Sequence, residues 1–166
     1  MVNSNPDNPP ERKTVQLMFV LDQFFKQSKL GPIWGTVYFQ IGGREAFPDR
    51  GWTDLVGAFL RCWLDALISV ADGTTRNEEA PFFDGPLWCI YPPPDKNAVQ
   101  LTFVHNGVVK HTAITSIEEL LRNAVAVAEE FLAVCGQRGW SNGDTETLAV
   151  LSGQAARTLT ERSSLN

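Results

Sequence analysis

Histidine and cysteine, the side chains that most often carry metal or nucleophilic chemistry, number only two and three in this chain of 166 residues. Cys62, Cys89 and Cys135 are odd in number, far apart and without CxxC spacing, which excludes a disulfide framework and the common thiolate zinc motifs. All three read as reduced, buried thiols acting as small hydrophobes, Cys62 and Cys135 on apolar helix faces and Cys89 in an apolar strand. No apolar stretch approaches the roughly 20 residues that a membrane helix needs. GxSxG, GxGxxG and GxxxxGK[ST] are also missing, so a nucleophile elbow, a dinucleotide fold and a phosphate loop have no support.

An excess of positive charge is lacking as well. The formal charge is -5, and residues 45–95 hold nine acidic and three basic side chains, against three and five in residues 1–44 and seven and six in residues 96–166. An acidic surface repels nucleic acid and membranes and steers basic protein partners toward itself. The same acidity also fits a solvated face that keeps the protein in solution.

What is present suits one folded domain. Apolar residues make up 43% and charged residues 20%, far from the composition of disorder. The opening MVNSNPDNPPERK, residues 1–13, reads as a flexible lead without the apolar core of a signal peptide. Residues 14–162 form the expected domain, with 163–166 as a tail. No repeat of 20 to 50 residues is visible, and the cytoplasm is the expected compartment.

Along that domain, Leu17, Val20, Leu21, Phe24 and Phe25 follow helical spacing, which predicts a helix over 15–25; Val15, Leu17 and Phe19 also alternate, the pattern of a strand. WGTVYFQIGGREAF predicts two antiparallel strands around Gly42-Gly43. The run FPDRGWTDLVGAFLRCWLDAL, residues 47–67, predicts a turn at Pro48–Gly51 and a core-facing helix capped by Thr53 or Asp54. A polar loop containing Glu78 and Glu79 leads to APFFDGPLWCIY, one or two short strands broken at Asp84-Gly85-Pro86. Asn106-Gly107 is the strongest hairpin signal in the chain. Ser116-Ile-Glu-Glu119 is a capping box that opens a helix to Cys135, and a weaker helix spans 144–159. Hairpins joined to helices give an α+β fold, mainly an antiparallel sheet with helices on one face and added helices at both ends.

Chemistry is hard to place on this frame. A two-residue turn at Asn106-Gly107 pairs Thr102 with His111 and sets His105 and His111 on opposite faces, so they share no metal. Glu118-Glu119 and Glu129-Glu130 lie on a helix, and Glu78-Glu79 in a loop; acid/base work needs two carboxylates in different environments across a cleft. Ser69, Ser116 and Ser152 sit in helix or cap sequence. No catalytic residue, metal ligand or cofactor is expected. Tryptophan is plentiful: Trp63 and Trp88 read as core, while Trp52 and Trp140 suit either a core or an interface.

Phe47-Pro48, Gly51-Trp52-Thr53-Asp54, Trp63-Leu64 and Phe83-Asp84-Gly85-Pro86 together resemble a family of small bacterial immunity-type proteins of polymorphic toxin systems. The resemblance covers about residues 34–112, with Leu87 where an aromatic residue is common. It implies a non-catalytic protein that binds a co-encoded toxin and neutralises it by steric occlusion. Candidate contacts for a basic toxin surface are Asp49, Glu78, Glu79, Asp84, Asp95 and Trp52. The alternatives are a secretion chaperone or adaptor, marked by a hydrophobic groove and a stable homodimer, and a small hydrolase, marked by a deep pocket where carboxylates or His111 converge.

Overall fold

The computed structural model describes residues 11–26, 31–74, 77–82, 85–91 and 97–164. The order is β1 (Val15–Lys26), β2 (Ile33–Ile41), β3 (Glu45–Phe47), β4 (Thr53–Leu55), α1 (Val56–Ala71), β5 (Glu78–Pro81), β6 (Leu87–Tyr91), β7 (Ala98–His105), β8 (Val108–Ser116), α2 (Ile117–Gln137) and α3 (Gly143–Ser163). The α+β class holds, but the strands divide into two antiparallel sheets where one was expected: β1-β2-β3 with β4 also on β2, and β5-β6-β7-β8.

The first element corrects the helix predicted over 15–25. Val15, Leu17 and Phe19 pair with Ile41, Phe39 and Val37 of β2, and Val15 and Leu17 are buried. The two-residue period therefore wins, because β2 supplies the backbone partners that a helix would have found within itself. The outer edge of β1 is closed by α2: Asn123 Oδ1 accepts the Leu17 N–H at 2.7 Å, and Asn123 Nδ2 donates to the Leu17 carbonyl at 3.3 Å.

The helix predicted to begin near Thr53 begins at Val56. Thr53–Leu55 instead continue the far edge of β2, pairing with Thr36, Gly35 and Trp34. Leu55 is the N-cap residue and has no side-chain cap. Asp54 acts one residue earlier than a cap: buried, it accepts from the Leu55 N–H at 2.7 Å and from Trp52 Nε1 at 3.1 Å. From Val56 onward the predicted stripe holds, with Val56, Phe59, Leu60, Trp63, Leu64 and Leu67 buried. Cys62 is exposed, contrary to its expected burial, because that stripe turns the face between Arg61 and Trp63 outward.

Both hairpins form. Gly42 and Gly43 take φ of +58° and +75° in a turn closed by Ile41↔Glu45. Asn106 and Gly107, at +53° and +71°, connect the pair His105↔Val108, as a type I′ turn requires. The register beyond that turn corrects one expectation. Lys110 is an extra residue, so His111 faces Phe103 and not Thr102. A bulge shifts facing by one residue, and it returns His111 to the face that carries His105.

The inner faces of both sheets, α1 and α2 share one core that includes Phe39, Trp63, Trp88, Phe103 and Phe131. Trp63 and Trp88 are both buried, as expected, with rings 4.8 Å apart. The helix α3 lies across α1 and α2. Asn142 and Thr145 form a reciprocal capping box at its start, and Asn142 Nδ2 also donates to the Gly31 carbonyl at 3.3 Å. At its far end Arg162 donates to the Ala71 carbonyl at 3.0 Å and to Asn97 Oδ1 at 3.2 Å, tying α3 to the end of α1 and the entrance of β7. Glu11–Lys13, placed by the sequence in the flexible lead, cross from one sheet to the other: Arg12 bridges Ile114 of β8 just before β1 begins.

Candidate functional site

Phe82 is where the separated segments meet. It follows the edge strand β5, with its N–H donating to the Pro86 carbonyl and its carbonyl accepting the Gly85 N–H. Gly85 has φ of +102°, which favours glycine. The Phe82 ring stacks on Phe59 at 4.5 Å and meets Phe47 at 5.9 Å, Phe39 at 6.0 Å and Trp52 at 6.3 Å. Phe47 of FP, Trp52 of GWTD and the phenylalanine leading into FDGP thus form one aromatic knot, although 35 positions separate the first from the last (82 − 47).

Around that knot the chain turns tightly. Asp49 Oδ1 accepts the Gly51 N–H at 2.8 Å, the Asp49 carbonyl accepts the Trp52 N–H at 3.2 Å, and the Trp52 carbonyl accepts the Val37 N–H at 3.0 Å. Trp52 is half-buried, its ring on Phe82 and its indole N–H on Asp54. Asp49 stays exposed on the outside of the turn.

Glu78 and Glu79 were expected in a loop, and here they open β5, opposite Ile90 and Cys89. Glu79 is exposed and Glu78 half-buried. Charge and Pro81 on an edge strand are common devices against unwanted pairing. With Asn77 and Tyr91 the two glutamates line a hollow of about 240 Å³. Tyr91, 39% exposed, was missed as a candidate; its signal was an aromatic residue closing a strand just before a proline run. Asp49 and Trp52 lie by the Phe82 end of β5, whereas Glu78 lies at the opposite end, roughly 10 Å away at the rise of an extended strand. Asp84 and Asp95 lie outside the described residues.

The histidines belong to a different place. His111 Nδ1 is 3.3 Å from Glu45 Oε2, an oxygen that also lies 3.8 Å from Lys13 Nζ, and the His111 ring meets Phe47 at 6.3 Å. This cluster ties β8 to β3 and to the crossing segment. Among the described residues no group of three or more histidine, cysteine, aspartate or glutamate side chains could hold a metal ion. The hollow of about 640 Å³ between residues 11–14 and the β2–β3 turn is lined by Arg12, Lys13 and Arg44 together with Glu11 and Glu45. Among the described residues no helix is long and apolar enough to cross a membrane.

Comparison with protein-family models, curated proteins and solved structures finds no match.

Proposed function

We propose that this chain is an immunity-type protein that binds a co-encoded bacterial toxin in the cytoplasm and neutralises it by covering its working surface. The carrying observation is the aromatic knot: Phe47 and Trp52, from two of the segments behind the resemblance, come together on the ring of Phe82, the residue just before the third. A shared pattern of that kind is scaffold, and it displays the acidic turn at Asp49 and the charged edge β5 beside it. The surface so formed combines carboxylates with the partly exposed aromatics Trp52 and Tyr91, the composition that anchors a basic partner.

The experiment is to determine whether the neighbouring gene encodes a large protein with a toxin-like C-terminal domain and to co-purify this chain with that domain, followed by affinity measurements on alanine variants. Asp49→Ala, Glu78→Ala and Glu79→Ala are expected to weaken binding, together by about tenfold or more, chiefly through faster dissociation. Failure of the wild-type pair to associate removes the reading. Unchanged affinity in all three variants removes the assigned surface.

A further inference from the structure

One row of α3 carries charges that the rest of the chain does not answer. The core side of the helix is Leu148, Ser152, Ala155 and Thr158, all buried. Opposite lie Glu146, Val150, Gly153 and Arg157, at spacings of four, three and four residues that align them along about 16 Å of helix. All four are exposed, and Val150, at 62%, is the most exposed large hydrophobic residue among those described. Charges on the inner flanks of α3 are paired, Asp144 with Arg61 at 3.2 Å and Arg162 with Glu118 at 4.0 Å. Glu146 and Arg157 have no ion-pair partner among the described residues. Arg157 instead folds back along the helix, its Nη1 3.9 Å from the place where a Cβ would stand on Gly153, and nothing else lies within 4 Å of that place.

The order of these residues makes the row its own complement. In a parallel pair of copies Glu146 would face Glu146 and Arg157 would face Arg157, which is repulsive. In an antiparallel pair whose twofold axis lies level with Leu151 and Ser152, Glu146 faces Arg157, Val150 faces Gly153 and Ala149 faces Gln154, and the symmetry makes each contact twice. A twofold interface demands this reciprocity, each patch meeting the same patch of the other copy. Charge therefore selects one orientation and one register, and the missing side chain at Gly153 leaves room for the facing valine to shed water against helix backbone.

We propose that the outer row of α3 is a docking surface for a second copy of this chain, in an antiparallel twofold pair with two Glu146–Arg157 ion pairs flanking Val150 and Gly153. On docking, Arg157 leaves Gly153 for the partner's Glu146, and the partner's Val150 takes the space that the guanidinium vacates. This inference concerns the chain alone and is independent of toxin binding.

Sedimentation equilibrium of the full-length chain tests it. A pair of single helices lies at the low end of interface size, so a reversible dimer with a Kd on the order of 100 µM is expected. A wild-type chain that stays monomeric at millimolar concentration overturns the proposal. Glu146→Arg and Arg157→Glu each set like charges face to face and should weaken the dimer by about tenfold or more. Combined, they restore opposite charges in the reverse sense and should bring the Kd back to within about threefold of wild type. Single variants that dimerise as the wild type does, or a double variant no tighter than the singles, overturn the α3 surface. Val150→Glu, at a position outside the core, supplies the same reading should a charge swap disturb the helix: it is expected to weaken the dimer by a similar factor, and an unchanged Kd overturns the proposal.

Discussion

Asn123 and Asp54 are polar residues that hold backbone where no strand or helix does. The amide of Asn123 takes the place of a neighbouring strand for Leu17, accepting and donating at 2.7 and 3.3 Å. Asn123→Ala leaves both groups of Leu17 unpaired beside the core, an expected loss of about 1–3 kcal/mol in urea denaturation. A cost below measurement error means that water replaces the amide. Phe82 and Asp49 provide a contrast within one neighbourhood. Phe82→Ala empties the centre of the aromatic knot and should cost about 3–5 kcal/mol, whereas Asp49→Ala, on an exposed turn, should cost at most about 1 kcal/mol through its Gly51 contact. Comparable losses for the two would show that the turn at Asp49 is part of the core scaffold, and its loss of partner affinity could not then be read as a lost contact.

The elements that the sequence disclosed well are those decided locally. Ser116 and the stripe from Ile117 to Cys135 announce α2, whose buried positions Leu120, Leu121, Ala124, Val127, Ala128 and Phe131 match that stripe. Asn106-Gly107 likewise announces its turn. Two elements were misread for a common reason. β1 carries apolar residues at both helical and alternating positions, and only the ladder to β2, distant in sequence for most of its length, selects between them. Thr53–Leu55 have the composition of a helix start, yet β2 claims their backbone first. The bulge at Lys110 has no local signature either, and one extra residue there reverses the reading of His111. Caps permit a test at this scale. Asn142 accepts from the Thr145 N–H at 3.0 Å and also reaches Gly31, so Asn142→Ala should destabilise the protein by about 1–2 kcal/mol, more than Ser116→Ala, whose bond to Glu119 is 3.4 Å long. Equal Tm shifts for the two would mean that the contact to Gly31 contributes nothing.

Across the molecule, charge and scaffold separate in a way that the sequence only half revealed. The nine acidic residues of the middle segment looked like one pool, but Asp54 is buried and structural, Asp49 stands at the aromatic knot, and Glu78 and Glu79 occupy an edge strand. Sequence could name the acids; it could not divide them, because the division depends on which backbone β2 and β6 pair with. If the exposed group steers a basic toxin surface, its effect belongs to the encounter, when the partners are still a Debye length or so apart. The association rate should then fall by roughly an order of magnitude between low and physiological salt while dissociation changes little. Glu78→Ala with Glu79→Ala should flatten that slope, because fewer charges remain to be screened. Trp52→Phe, which replaces the indole with a smaller uncharged aromatic ring and removes its N–H, should leave the slope intact, since it alters packing at contact and no long-range field. Stopped-flow association across a salt series separates the two, and a slope that is equally steep in the double glutamate variant places the steering charges elsewhere on the surface.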